Sequence, residues 1–344
     1  MPETIKNASQ IRDVTQAMSA AKRILGVTHA NPDGDAIGSL VSLGLIAASL
    51  GIDVRLYCET PLPYHLDWLN SPTPIISSLE TLAPWRPDQV VFLDCAESSR
   101  AGQDITAFIA ACREESPVQT LCVDHHTANP HFADTNWVDS SMSATGIMVA
   151  LLAKELGIPL SGDLGEAICL AIVADTGSFS YANTSALALE LTAEIVRNGL
   201  SIGAFTTKYE NHWTLDRMQL WGVLMQEVQV LCNGKAVVSV VTEAMLERYN
   251  APHAYLEDYA SWLRRLANSK VVMLARPSRT GCKISLRSMG DVDVQQIAAQ
   301  FGGGGHRGAA GIDMAEEPPA AAEKVLEAVC RALGEPYQKV DIPL

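Results

Sequence analysis

The sequence predicts an α/β protein: an N-terminal, mostly parallel sheet flanked by helices, followed by a smaller α/β domain. Three observations predict it. The first half alternates short apolar runs with helical patterns, the signature of β-α-β units. Several of those runs end in Asp or His, at the edge where open α/β sheets bind ligands. The second half changes to short strands joined by turns.

The elements follow in order. Residues 10–22 put Ile11, Val14, Ala17, Met18 and Ala21 on one helical face. A strand at 24–28 leads to His29-Ala-Asn-Pro-Asp-Gly-Asp35, where Pro32 and Gly34 predict a turn with little room for a helix. A helix from about 36 to 50, closed by Gly51, comes next. Strands at 53–57, 90–93 and 119–123 follow, the last two separated by a helical 103–115. Helical patterns occupy 143–156 and 163–174, and residues 187–232 read as mainly helical. Strands are expected at 236–241, 271–275 and 282–287, with Pro277 to Gly281 as the turn between the last two. A helix near 292–300 leads into the glycine run 302–311, and a helix at 318–333 follows. The expected domains are 1–190, a helical connector at 191–232, and 233–344.

With 48% hydrophobic and 19% charged residues, the chain has material for a substantial core. No apolar run approaches the roughly 18 residues of a membrane span. Met1-Pro-Glu-Thr-Ile-Lys-Asn lacks the basic and apolar regions of a signal peptide, so a cytoplasmic protein is expected, without a membrane partner. None of the eight cysteines forms a C-x-x-C pair, which argues against a zinc ribbon or thioredoxin motif. Cys95 follows Asp94 but has no cationic neighbour in sequence to activate it as a nucleophile. A net charge of -14 argues against a grip on long nucleic acid. The exception is Arg264–Arg307, with eight basic residues against Asp291 and Asp293, which reads as a local anion pocket.

The chemistry-bearing residues cluster in short motifs. His29, Asp33 and Asp35 share one turn; Asp94, Asp124-His125-His126 and Asp175 each end an apolar run. Carboxylates and imidazoles brought together in this way call for a cation, because like charges repel. The segment Phe301-Gly-Gly-Gly-Gly-His-Arg-Gly-Ala-Ala-Gly311 lies between a helix and a strand, where side-chain-free backbone can turn N–H groups toward an anion.

Together these residues resemble the DHH family of phosphoesterases. Asp124-His125-His126 matches the motif that names the family. The segments around His29–Asp35, Asp94 and Asp175 match its other N-terminal motifs, and Gly302–Gly311 matches the G-G-G-H-x-x-A-A-G motif of the DHH-associated C-terminal domain. Arg287 sits on the basic strand that usually precedes that motif. The resemblance implies two divalent ions, expected to be manganese. One would be held by His29, Asp33 and Asp94 and the other by Asp35, Asp94, His125 and Asp175, with Asp94 bridging. It assigns His126 to the scissile phosphate or leaving group, with Asp124 supporting the catalytic histidine. Asn31, Arg100, Arg287, His306 and the Gly303, Gly304 and Gly305 backbone become candidates for substrate binding.

Within the family the likeness is to short two-domain bacterial nano-RNases, many of which also dephosphorylate 3'-phosphoadenosine 5'-phosphate. The expected substrates are RNA oligonucleotides of about two to five residues or small nucleotides, and not long duplexes. Soluble phosphodiesterases for cyclic di-AMP or pApA are the alternative enzyme class, and a nucleotide-binding sensor the non-enzyme one. A homodimer is compatible with the family.

Overall fold

The computed structural model describes residues 8–211, 213–279 and 281–337. The chain divides into two compact units, Met1–His212 and Trp213–Leu344.

The first unit runs α1 (Ala8–Ala20), β1 (Arg23–Val27), α2 (Gly34–Ser49), β2 (Asp53–Tyr57), β3 (Ile75–Ile76) and β4 (Gln89–Leu93). It continues with α3 (Asp104–Glu115), β5 (Gln119–Asp124), β6 (Thr135–Val138), α4 (Thr145–Glu155), α5 (Gly162–Asp175), α6 (Ala186–Arg197) and α7 (Ile202–Glu210). All strand pairings are parallel, in the order β3-β2-β1-β4-β5-β6. The strands are buried on both faces, so they read as continuous apolar runs rather than alternating ones. On one face Ile24, Leu56, Val91 and Leu121 pack with α2, α4 and α5. On the other, Leu25, Val90, Phe92 and Cys122 pack with Ile105, Ile109 and Cys112 of α3.

The second unit runs α8 (Leu215–Gln226), β7 (Gln229–Leu231), β8 (Ala236–Val240), α9 (Glu243–Arg248), α10 (Tyr259–Leu263), β9 (Val271–Ser278) and β10 (Gly281–Ser288). Then come α11 (Val294–Ala299), β11 (Gly304–His306), β12 (Ala309–Met314) and α12 (Pro318–Ala332). Its sheet has the order β11-β12-β10-β9-β8-β7, antiparallel except between β8 and β9. Ile284, Leu286 and Ile312 pack under α11 and α12 on one face, while Val237, Val272 and Leu274 pack under α8, α9 and α10 on the other.

Several expectations need correction. α2 starts at Gly34, because Asp33 is its N-cap and accepts from Ala36 N–H at 3.0 Å. The turn residues therefore open a helix instead of excluding one. Pro277 lies within β9 opposite Cys282 and not in the turn. The mainly helical stretch ends in a strand, Gln229–Leu231. The short strands β3 and β6 carry too little apolar pattern to have been recognised.

Candidate metal centre

The order of the first sheet creates a crevice. The chain leaves β1 to one side and returns to its other side as β4, so the carboxyl ends of β1 and β4 flank a topological switch point. His29 lies just beyond β1, Asp94 directly follows β4, and Asp124 ends β5 with His125 and His126 next in sequence. Asp175 arrives differently: it is the last residue of helix α5 rather than the end of a strand.

These side chains meet. His29 Nε2 lies 3.5 Å from Asp94 Oδ2. His125 Nε2 lies 3.5 Å from Asp94 Oδ1, 3.3 Å from Asp175 Oδ2 and 3.8 Å from Asp35 Oδ2. Ligand atoms from His29, Asp33 and Asp94 converge within 4.8 Å of one another, as do those of Asp35, His125 and Asp175. A third grouping, Asp94 with His125 and His126, satisfies the same distance. It is a weaker metal site, because His126 Nδ1 already sits 2.7 Å from Asp124 Oδ1.

Backbone and helix ends fix the arrangement. Asp94 has a φ of +57, a left-handed conformation that a non-glycine residue holds only when its surroundings impose it. Its N–H donates to Val123 O at 3.2 Å, and Thr145 Oγ1 donates to its Oδ1 at 3.1 Å. Asp35, fully buried, receives Thr145 N–H at 2.7 Å, Gly146 N–H at 2.8 Å and Ser39 Oγ at 3.1 Å. A carboxylate on the first turn of α2 thus satisfies the buried amides that begin α4, which have no partner within that helix. The helices approach closely because their contact points are glycines. A Cβ on Gly38 would lie 2.5 Å from Ala167 O, and one on Gly146 would lie 2.2 Å from Ala171 Cβ.

Charge dominates the electrostatics. Burial, with the Asp94 and Asp175 carboxylates nearby, pushes the Asp35 carboxyl well above the usual range. Burial beside Asp33 and Asp94 does the same to Asp175. For Asp94 burial also opposes ionisation, but the His29 hydrogen bond and the His125 charge outweigh it and hold the group below its ordinary value. Burial disfavours the charged forms of His29 and His125, yet the Asp94 carboxylate wins and raises both. Cys95 is fully buried and its thiol is pushed well up, chiefly by burial and by the Asp94 charge, which agrees with its rejection as a nucleophile.

The remaining candidates fall into two groups. Asn31, at φ +54, is exposed beside His29, and its N–H donates to Thr60 Oγ1 at 2.6 Å. Arg100 pins the same loop through its carbonyl, which accepts Ala30 N–H at 2.7 Å. Arg287, Gly303, Gly304, Gly305 and His306 belong to the second unit, where Arg287 and His306 both lie opposite Ala309 in register. Thr145, Gly146 and Asn129 were not anticipated. Asn129 Nδ2 donates to Asp124 Oδ2 at 2.7 Å. An Asn five residues past Asp124 gave a local clue; the Thr145 contact to Asp35 spans 110 residues and gave none. Of the histidines read as structural or surface groups, His65, His131 and His253 lie outside this cluster, and His212 falls outside the described residues.

Both units resemble known proteins. Residues 23–172 match the model of the DHH family N-terminal domain, and residues 233–335 match the DHHA1 domain. The chain is 31% identical to the bifunctional oligoribonuclease and PAP phosphatase NrnA of Thermus thermophilus over 93% of each chain. It is 25% identical to the Bacillus subtilis protein of the same name, over 88% of this chain and 92% of that one. An exopolyphosphatase-related protein from Bacteroides fragilis shares the fold at a TM-score of 0.87 and 24% identity, covering 96% of this chain and 97% of that one. RecJ of Thermus thermophilus in complex with Mn2+ superposes at 0.57 with 17% identity, covering 98% of this chain and 57% of that one. Carrying both domains in order, and these relatives along nearly its whole length, the chain belongs to the DHH family of phosphoesterases.

Proposed function

We propose that this chain hydrolyses RNA oligonucleotides of about two to five residues to mononucleotides and removes the 3'-phosphate of 3'-phosphoadenosine 5'-phosphate. Both reactions break a P–O3' bond, so one site serves both. The names of the Thermus and Bacillus relatives support this substrate class.

The observation that carries the reading is the state of the two inner histidines. His29 Nδ1 lies 2.9 Å from Ala30 O, and His125 Nδ1 lies 3.2 Å from Met142 O. A carbonyl only accepts, so both Nδ1 atoms carry hydrogen and both Nε2 atoms aim at carboxylates. That donor set fits divalent cations of the manganese type: imidazole nitrogen plus carboxylate, with too much buried negative charge to stand uncompensated. His29, Asp33 and Asp94 would hold one ion, and Asp35, Asp94, His125 and Asp175 a second. When bound, such ions supply an activated water and charge stabilisation for in-line displacement at phosphorus.

The chain's own residues do the rest. Asp124 fixes His126 through Nδ1, so His126 addresses the phosphate or the leaving 3'-oxygen through Nε2. Asn31 and Arg100 stand beside the His29 loop as phosphate contacts. In the second unit, Arg287, His306 and the glycine backbone at 303–305 take the terminal phosphate.

The test is hydrolysis with manganese on equal concentrations of an RNA dinucleotide, a long RNA, 3'-phosphoadenosine 5'-phosphate, pApA, cyclic di-AMP and pyrophosphate. Preference for the dinucleotide is expected. Activity that rises with RNA length, or turnover of cyclic di-AMP or pApA alone, overturns the substrate assignment.

A further inference from the structure

The chain takes an uncommon path behind Asp175. Helix α5 ends at that residue, and Gly177, Ser178 and Phe179 then follow with φ of +54, +54 and +65. Residues with a Cβ resist the left-handed region, so such a turn persists only where its surroundings over-determine it. Here they do. Ser178 N–H donates to Val173 O at 2.8 Å, Tyr181 N–H to Thr176 O at 2.9 Å and Phe179 N–H to Thr176 Oγ1 at 3.2 Å. Phe179 packs against the core of the unit. Tyr181 covers Gly177, where a Cβ would come within 2.3 Å of its ring.

The turn brings the chain back onto the helix it has just left. Asn183 Nδ2 donates to Asp175 O at 3.0 Å and to Ser143 O at 3.2 Å. Both partners are carbonyls, which only accept, so both amide hydrogens are used and the orientation of the amide is fixed. Ser143, which is buried, returns the contact: its Oγ donates to Asn183 O at 2.5 Å. The two residues form a reciprocal clasp between segments 40 positions apart.

What this clasp holds is specific. Ser143 follows Met142, whose carbonyl lies 3.2 Å from His125 Nδ1. It precedes Ala144 and Thr145, and Thr145 donates to Asp35 through its N–H and to Asp94 through Oγ1. Segment 142–145 thus orients His125, Asp35 and Asp94, and Asn183 ties that segment to Asp175. The other cluster is held by different groups. His29 Nδ1 meets Ala30 O, Ala30 N–H donates to Arg100 O, and Asp33 caps its own helix. Among the described residues, neither Asn183 nor Ser143 hydrogen-bonds to His29 or Asp33.

We propose that Asn183, held by Ser143, is a positioning residue for one ion alone, the cation assigned to Asp35, Asp94, His125 and Asp175. It fixes the spacing between the Asp175 and His125 donors by holding the backbone of both segments. The proposal rests on the reading of those four side chains as one ligand set. The left-handed turn has its reason in the same contact, since it lets a residue eight positions past Asp175 reach back to the Asp175 carbonyl.

The experiment titrates manganese into full-length protein after chelation, by calorimetry, and measures kcat and KM for an RNA dinucleotide over a range of manganese concentrations. Asn183→Asp keeps the shape of the side chain and replaces both donors by acceptors, while Asn183→Ala removes the group. Position 183 is exposed, so both variants are expected to fold, and melting curves check this. Each is expected to weaken one manganese site about 10–100-fold and to leave the other unchanged. At low manganese kcat should fall accordingly; at saturating manganese it should recover, with KM for the dinucleotide unchanged. A residue that served the fold alone would give no such recovery. Ser143→Ala leaves the Asn183 donors in place and should shift the same site less; it decides the matter if the Asn183 variants melt early. Manganese affinities like those of the unaltered protein in folded variants overturn the proposal, as does equal weakening of both sites. His125→Ala separates the two readings. If it abolishes one site while the Asn183 variants keep both, the clasp alone fails. If it too leaves both sites intact, the ligand reading fails first and the proposal falls with it.

Discussion

Gly38 in the first unit and Gly304 in the second both sit inside regular elements, for opposite reasons. Gly38 is there because Ala167 O leaves no room for a side chain, and its absence of bulk lets α2 press against α5. Gly304 has empty space above it. The same contrast separates the two candidate sites. In the first unit, Asp35, Asp94 and Thr145 are buried and tied to several partners each, so geometry is set before any ligand arrives. In the second, Gly304 and His306 are exposed, and Arg287 is half-buried with a single long hydrogen bond, 3.3 Å from its Nε to Ser261 Oγ, so more of the geometry is left to the ligand. Reaction chemistry needs the first kind of site. Tolerance of several short substrates is served by the second.

The sharpest way to break this comparison is Asp94→Asn. Asparagine tolerates the left-handed backbone, so the fold persists. Hydrolysis is expected to fall more than ~100-fold, beyond the range for a supporting residue, and calorimetry should show manganese affinity lost. A folded variant with near-normal turnover would remove Asp94 from the centre. Thr145→Val, nearly isosteric, deletes the Oγ1 hydrogen bond to Asp94 and should cost about 10–100-fold in activity or metal affinity. Arg287→Ala should raise KM for nucleotides by about tenfold while sparing manganese binding, because its lost interaction is one of charge-assisted hydrogen bonding. Equal loss of manganese in the Asp94 and Arg287 variants would end the division of labour between the units.

Stability distinguishes the two glycines. Gly38→Ala forces α2 from α5 and should cost about 1–3 kcal/mol by denaturant titration, whereas Gly304→Ala should stay within about 0.5 kcal/mol. Similar costs would mean that Gly304 is structural after all.

The smallest effect is one of pH. In metal-free protein the folded state keeps protons on Asp35, Asp175, His29 and His125 where the unfolded chain has released them. The unfolded state then binds fewer protons, so stability falls as pH rises, first above about 4 and again above about 6.5. Asp94 acts oppositely: its contribution is present above about 4 and is lost as pH falls below it. Metal-free melting temperature should therefore decline between about pH 5 and pH 8 relative to protein saturated with manganese. A metal-free curve that rises relative to the loaded one would contradict the charge assignment.

How much of this was legible in the sequence depended on distance along the chain. Asp94 and Asp124-His125-His126 sit at the ends of β4 and β5, and a strand end can be recognised locally. The parallel sheet was equally legible, because strands buried on both faces stand out as unbroken apolar runs. The start of α2 was within reach: Asp33 ahead of an apolar helix is an N-cap signal, and attention to Pro32 and Gly34 obscured it. Thr145 and Gly146 were out of reach. Their role exists only because α4 comes to rest against a turn far back in the chain, and nothing in Ser143-Ala-Thr-Gly146 distinguishes it from any helix start. The glycine run of the second sheet was hidden differently. A run of glycines advertises flexibility, and only the register reveals which of them are dictated by neighbours and which are not.

The carboxylate of Asp35 strapped across the first amides of α4 also limits how the centre can be transplanted. A protein engineer copying the His29–Asp35 loop and the strand ends into another sheet would carry over most of the ligands and still build a slack site. The graft must include a helix whose first turn meets that carboxylate, with glycine at the crossing points. The portable unit is the three-helix clasp of α2, α4 and α5, and the signature motifs are what it holds.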